Sequence, residues 1–115
     1  MSENIIETND HASRCKLIAV NLGYYEDLYL HNMISKGSDR MSPEVNRGYA
    51  LRVLFLRNFI HNFSKFFMNN CQIISLGCGF DTLYWDLEKS DCLPKYGFFE
   101  LDFDLVILHK YKLIT

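Results

Sequence analysis

The segment Ser75-Leu76-Gly77-Cys78-Gly79-Phe80-Asp81 puts two glycines, one residue apart, directly after a short apolar run. Glycine there lets the backbone pass close to a ligand, because no Cβ intervenes. The pattern is weak alone and also fits an ordinary turn. Thr82 stands where the third glycine of a diphosphate cradle would be, which argues against a dinucleotide. Asp102 follows at the end of a second apolar run, where nucleoside-binding α/β folds place an acid that accepts hydrogen bonds from ribose hydroxyls. Two glycines plus that acid suit a nucleoside without phosphates, and S-adenosylmethionine is the commonest such ligand. A plain turn and a solvated aspartate fit the spacing equally well.

Arg52 is the second candidate. It follows Tyr49 by three residues and precedes Leu56 by four, so it flanks the apolar stripe of its helix. A guanidinium at that edge matches a carboxylate. The commoner alternative is an arginine whose stem lies on apolar surface while its head reaches water. Lys16, alone before Leu17-Ile18 and Val20, reads as the solvated edge of a helix. Trp85, Tyr84, Phe98 and Phe99 read as core packing rather than an aromatic cage.

The elements that position these residues follow from periodicity and punctuation. A first helix is expected over about 12–22, with capping side chains at Thr8-Asn9-Asp10 and a stop at Gly23. A second is expected over about 26–35, ending near Gly37, then a polar loop over 36–43. The third runs from Pro43 or Glu44 to Met68, with Tyr49, Val53, Leu56, Ile60, Phe63 and Phe67 forming one stripe. Leu51, Leu54 and Phe55 lie on its other faces, so it expects cover on several sides. A buried parallel strand at 71–76, a helix over about 82–88 capped by Asp81 or Thr82, a strand over 96–103 and a helix over 104–113 complete the chain. The fold class expected is α/β: N-terminal helices (1–70), then the first two parallel strands of a doubly wound, Rossmann-like sheet (71–115).

Composition narrows the function classes. The 115 residues are 49% hydrophobic and 23% charged, with a formal charge of −2. Residues 1–70 hold eight Lys/Arg against seven Asp/Glu, and residues 71–115 four against seven, so neither half is a basic footprint for nucleic acid. No apolar run has the length of a membrane span. The four cysteines and four histidines lack paired metal-ligand spacings, so no metal site is expected. The polar, acidic start resembles no secretory signal. A reducing, cytoplasmic setting with free thiols, and a monomer, are expected.

Five blocks together resemble the N-terminal part of the leucine carboxyl methyltransferases. They are Ala12-Ser13-Arg14-Cys15-Lys16; Gly23-Tyr24; Pro43-Glu44-Val45-Asn46-Arg47-Gly48-Tyr49 with Arg52; Cys71 through Thr82; and Leu93-Pro94 leading to Phe99-Glu100-Leu101-Asp102-Phe103. The resemblance spans about residues 8 to 112. It implies S-adenosylmethionine-dependent methylation of the C-terminal leucine carboxylate of the protein phosphatase 2A catalytic subunit. It also implies that Lys16 and Arg52 grip the methionine carboxylate, that Gly77 and Gly79 form the turn against the cofactor, and that Asp102 holds the ribose. No catalytic acid or base is implied. Asp104 stands where the family usually has proline.

A sister group, the tRNA wybutosine-synthesising methyltransferases, is similar as well, and Thr8-Asn9-Asp10 and Gly79 through Tyr84 lean toward it. A non-catalytic binding fragment is a further alternative. The family's sheet continues through more strands, so a truncated chain with little or no activity alone is expected.

Overall fold

The structure is a computed structural model that describes residues 2–34 and 40–115. Helix α1 spans Ser2–Asn21, a 3₁₀ turn Leu30–Asn32, α2 Pro43–Phe66, β1 Ile73–Leu76, α3 Leu83–Lys89, β2 Phe98–Leu101 and α4 Asp104–Ile114. The α/β class holds: four helices and two parallel strands.

Helix α1 starts about ten residues before the expected point, so Thr8-Asn9-Asp10 lie inside it rather than capping it. Each side chain has other work or none. The Thr8 hydroxyl donates to the Asn4 carbonyl at 2.8 Å, and Asn9 Oδ1 accepts the Phe80 N–H at 3.2 Å. Asp10 Oδ1 is buried with no partner. The helix stops where expected. Gly23 takes φ +85°, and the N–H groups of Leu22, Gly23 and Tyr24 bond back to Ile18, Val20 and Ala19. A left-handed residue costs glycine nothing, which is why it ends helices this way.

The expected helix over 26–35 does not form. Among its described residues only the 3₁₀ turn is helical; Ser35 and the expected stop at Gly37 lie outside the described residues. The reason is competition for backbone groups. Asp27 Oδ1 accepts the N–H groups of Tyr29 and Leu30, both at 3.0 Å, while Arg57 takes the Glu26 carbonyl at 2.8 Å. Side chains satisfy the peptide here, so a continuous helical ladder gains nothing.

Helix α2 begins as its sequence dictates. Ser42 Oγ accepts the Val45 N–H at 3.3 Å, Pro43 sits in the first turn and Glu44 follows. It ends at Phe66, two residues before the expected Met68, because Met68 and Asn69 turn left-handed. Of the predicted stripe, Tyr49, Val53 and Ile60 are half-buried, whereas Leu56, Phe63 and Phe67 are exposed.

The strands pair in parallel with Leu76 opposite Leu101. Both alternate between half-buried and exposed residues, which departs from the expected fully buried strand. Helix α3 supplies the reason. Its Leu83 and Leu87 pack with Cys92, Ile73 and Phe98 on one face of the sheet. Ile74, Leu76, Phe99 and Leu101 on the other face stay exposed. The interior is three small clusters: Ala19, Tyr25 and Ala50 between α1 and α2; Met33, Phe80 and Val106 with Trp85; and the α3 cluster. Tyr84 meets Phe98 edge-on at 5.6 Å and Trp85 joins the second cluster, so these three pack as expected, whereas Phe99 on the uncovered face does not.

Candidate functional site

The parallel register does the first piece of positioning. Since Leu76 faces Leu101, the next residues, Gly77 and Asp102, emerge side by side at the carboxyl ends of the strands. In open α/β sheets this end is where ligands bind.

Between Gly77 and Thr82 every backbone N–H is already bonded within the protein. Gly77 and Cys78 donate to the Leu101 carbonyl at 2.8 and 3.3 Å. Gly79 donates to Asp102 Oδ2 at 2.7 Å, and Phe80 to Asn9 Oδ1. Asp81 donates to the Cys78 carbonyl at 3.0 Å, and Thr82 to Asp81 Oδ1 at 2.8 Å. A phosphate-binding loop needs free N–H groups. This turn has none to offer, in agreement with the missing third glycine. Gly77 (φ +66°) and Gly79 (φ +52°) both adopt the left-handed region. The space before Gly77 is open, whereas a Cβ on Gly79 would overlap Asn9 Oδ1.

Two cavities flank the turn. The first, of about 460 Å³, is lined by Lys16 of α1, Arg52 of α2 and Gly77, among others. The second, of about 480 Å³, is lined by Lys16, Gly77, Gly79 and Asp102, with Asn9 from α1. Both lie in the range that holds small ligands. Lys16, Gly77 and Cys78 border both, so the two spaces adjoin at the turn. All five residues singled out in the sequence are thereby brought around one glycine turn.

The first cavity is cationic. Lys16, Arg52 and Arg57 line it against a single acid, Asp81. Lys16 and Arg52 have no hydrogen-bond or ion-pair partner among the described residues, whereas Arg57 is engaged. Its guanidinium meets Asp27 Oδ2 at 3.2 Å and the Thr82 hydroxyl at 3.3 Å, and lies 5.4 Å from the Tyr25 ring centroid. Sequence reading missed Arg57. The signal was its place four residues past Val53 and three before Ile60, on the half-buried face of α2. Burial, with Asp27 second, pushes the Tyr25 phenol far above its usual range.

Asp102 has one oxygen on the Gly79 N–H and the other on the Phe103 N–H at 2.7 Å. Each oxygen retains a lone pair for a further donor. The half-exposed carboxylate is held rigidly at the rim. Lys110 of α4 braces the turn from behind, donating to the Asp81 carbonyl at 2.8 Å and pairing with Glu100 at 2.7 Å.

Cys78 is the one cysteine among the residues lining these two cavities. Burial, then the Glu100 carboxylate, pushes the Cys78 thiol up to about 11, so it is protonated at neutral pH. His11 approaches Cys15 only at 3.7 Å, and neither residue lines either cavity. Among the described residues no group of three His, Cys, Asp or Glu side chains converges to hold a metal, and no helix is long and apolar enough to cross a membrane.

Strand, glycine turn, helix and a second parallel strand followed by an acid define an α/β protein with its two cavities at the carboxyl ends of the strands. Residues 11–115 match the family model described as leucine carboxyl methyltransferase. The chain belongs to that family. It is 39% identical to leucine carboxyl methyltransferase 1 of Bos taurus, covering 96% of this chain and 34% of the relative. It is 40% identical to the leucine carboxyl methyltransferase 1 homolog of Arabidopsis thaliana, covering 93% and 32%. The tRNA wybutosine-synthesizing protein 4 of Homo sapiens is 30% identical over 93% of this chain and 16% of its own length. The chain thus spans about a third of the length of the methyltransferase relatives.

Proposed function

We propose that these residues form the S-adenosylmethionine-binding part of a Rossmann-like methyltransferase whose acceptor is the C-terminal leucine carboxylate of the protein phosphatase 2A catalytic subunit. The observation that carries the reading is the convergence of Lys16, Arg52 and Gly77, from three separate elements, on one cavity with a surplus of positive charge. The donor set fits the cofactor. Two cations without partners suit its methionine carboxylate. The open space before Gly77 suits close approach, and Asp102 suits a ribose diol. The absence of free turn N–H groups suits a ligand with no phosphate.

When bound, S-adenosylmethionine supplies an electrophilic methyl group on a sulfonium. This chain's residues bind and orient. Lys16 and Arg52 fix the carboxylate end, Asp102 the ribose end, and the turn sets the distance between them. The acceptor is a carboxylate, ionised at pH 7 without help, so no general base is required of the chain. Alignment and removal of water from the nucleophile are the sources of rate. The uncovered apolar residues Ile74, Leu76, Phe99 and Leu101 favour the view that these 115 residues alone transfer little or no methyl.

The test is a calorimetric titration of S-adenosylmethionine into the chain and its Arg52→Ala variant, both checked for helicity. Binding that falls by about two orders of magnitude in the variant supports the reading. Equal binding, or none by the parent chain, defeats it. Methyl transfer to a phosphatase tail peptide, against tRNA, separates the two acceptors. The residues that lean toward the tRNA group, Thr8-Asn9-Asp10 and Gly79 through Tyr84, meet where the Phe80 N–H donates to Asn9 Oδ1, while the similarity to the leucine carboxyl methyltransferases, 39% and 40%, exceeds the 30% to the tRNA protein. The phosphatase reading is preferred.

A further inference from the structure

We propose that Asn9 is a ligand-binding residue of the second cavity, whose side-chain amide donates to the nucleoside opposite the accepting carboxylate of Asp102. This rests on the nucleoside reading of the site and adds to it a residue that the glycine-and-acid pattern does not contain.

The argument starts from an asparagine where a helix gains little from one. Asn9 lies well inside α1, and asparagine is a poor helix former. Its Oδ1 accepts the Phe80 N–H at 3.2 Å and packs so closely on Gly79 that a Cβ there would overlap it. Only the oxygen of the amide can accept, so this bond fixes which end of the amide faces the turn. The Nδ2 group faces elsewhere and has no partner among the described residues, while Asn9 borders the same cavity as Gly79 and Asp102. Asp102 can only accept and Asn9 Nδ2 can only donate. A group that both donates and accepts, such as a ribose hydroxyl or a purine edge, satisfies both at once. An anion would satisfy Asn9 and be repelled by Asp102.

The full 115-residue chain is titrated with 5′-methylthioadenosine, a nucleoside without the amino-acid carboxylate, and separately with S-adenosylmethionine. Asn9→Asp keeps an oxygen for the Phe80 N–H and removes the donor. It should weaken methylthioadenosine by about tenfold or more, with the ligand-free unfolding midpoint unchanged. Methylthioadenosine binding as tight as in the parent overturns the proposal. Arg52→Ala reads the other end: it should weaken S-adenosylmethionine and spare methylthioadenosine. If Arg52→Ala changes neither ligand while Asn9→Asp still weakens the nucleoside, the carboxylate reading falls and Asn9 stands. If the parent binds neither ligand, both fall. Should Asn9→Asp fail to fold, the parent chain still decides: added nucleoside should shift the Asn9 side-chain amide resonances, and unshifted resonances overturn the proposal.

Discussion

The two walls of the site are built on opposite plans. The helix wall offers Lys16 and Arg52, long side chains with no partner among the described residues, on elements packed through small residues such as Ala19 and Ala50. The turn wall offers backbone whose N–H groups are all engaged, braced by Asp102, Asn9 and Lys110. The helix wall keeps its charges available to a ligand. The turn wall uses its polar groups on itself and presents shape. Mutations on the first should therefore alter binding without altering stability, and mutations that break the internal hydrogen bonds of the second should alter stability first.

Lys110→Met is the strongest challenge to this contrast. It leaves Glu100 without its cation and the Asp81 carbonyl without its donor in a site where Lys110 is almost fully buried. A loss of about 3 to 5 kcal/mol is expected, seen as a lower urea midpoint; a change under about 1 kcal/mol would show the turn does not depend on this brace. The glycines come next. Gly79→Ala meets both left-handed strain and Asn9 Oδ1, for about 2 kcal/mol. Gly77→Ala meets strain alone, for about 1 kcal/mol, because its Cβ enters open space. On the proposed reading that open space takes the ligand, so Gly77→Ala should impair binding out of proportion to its modest instability. Arg52→Ala should leave stability within about 0.5 kcal/mol, since the side chain is exposed, while abolishing most S-adenosylmethionine affinity.

A further effect appears with pH. The Cys78 thiol stays protonated in the fold up to about 11, against an ordinary 9.0. The unfolded chain releases that proton first, so stability should decline as pH rises from about 9 to 11. Cys78→Ser should flatten part of that decline in pH-dependent unfolding. An unchanged slope would mean the thiol is not sheltered by the turn.

Much of this contrast could be read from residue order. The second wall was legible as a glycine turn after a strand and an acid after the next, while the spacing fitted a ligand site and a plain turn equally well. Gly23 and Pro43 likewise marked their helix ends through local chemistry. The segment over 26–35 was misread because its composition suits a helix, while Asp27 and Arg57 claim its backbone from outside the helical ladder. Arg57 is distant in sequence, so no local pattern shows the competition. Helix α1 began early for a related reason: Asn9, a poor helix former, is held by Phe80 across the fold. Arg52 and Lys16 had only an ambiguous amphipathic signal. Their shared cavity depends on how two helices pack, which spacing does not encode.

The strand register has a bearing on how such chains can vary. Gly79 and Asp102 lie 23 residues apart, yet they meet because Leu76 pairs with Leu101, whatever the length of the connection between the strands. The connection is itself tied down: Cys92 packs with Leu83 and Leu87, and its carbonyl accepts the Ser64 hydroxyl at 2.7 Å. One residue inserted within Phe98–Leu101 would turn Asp102 to the opposite face of the sheet. Natural length variation should therefore be absent from the four residues that precede the acid.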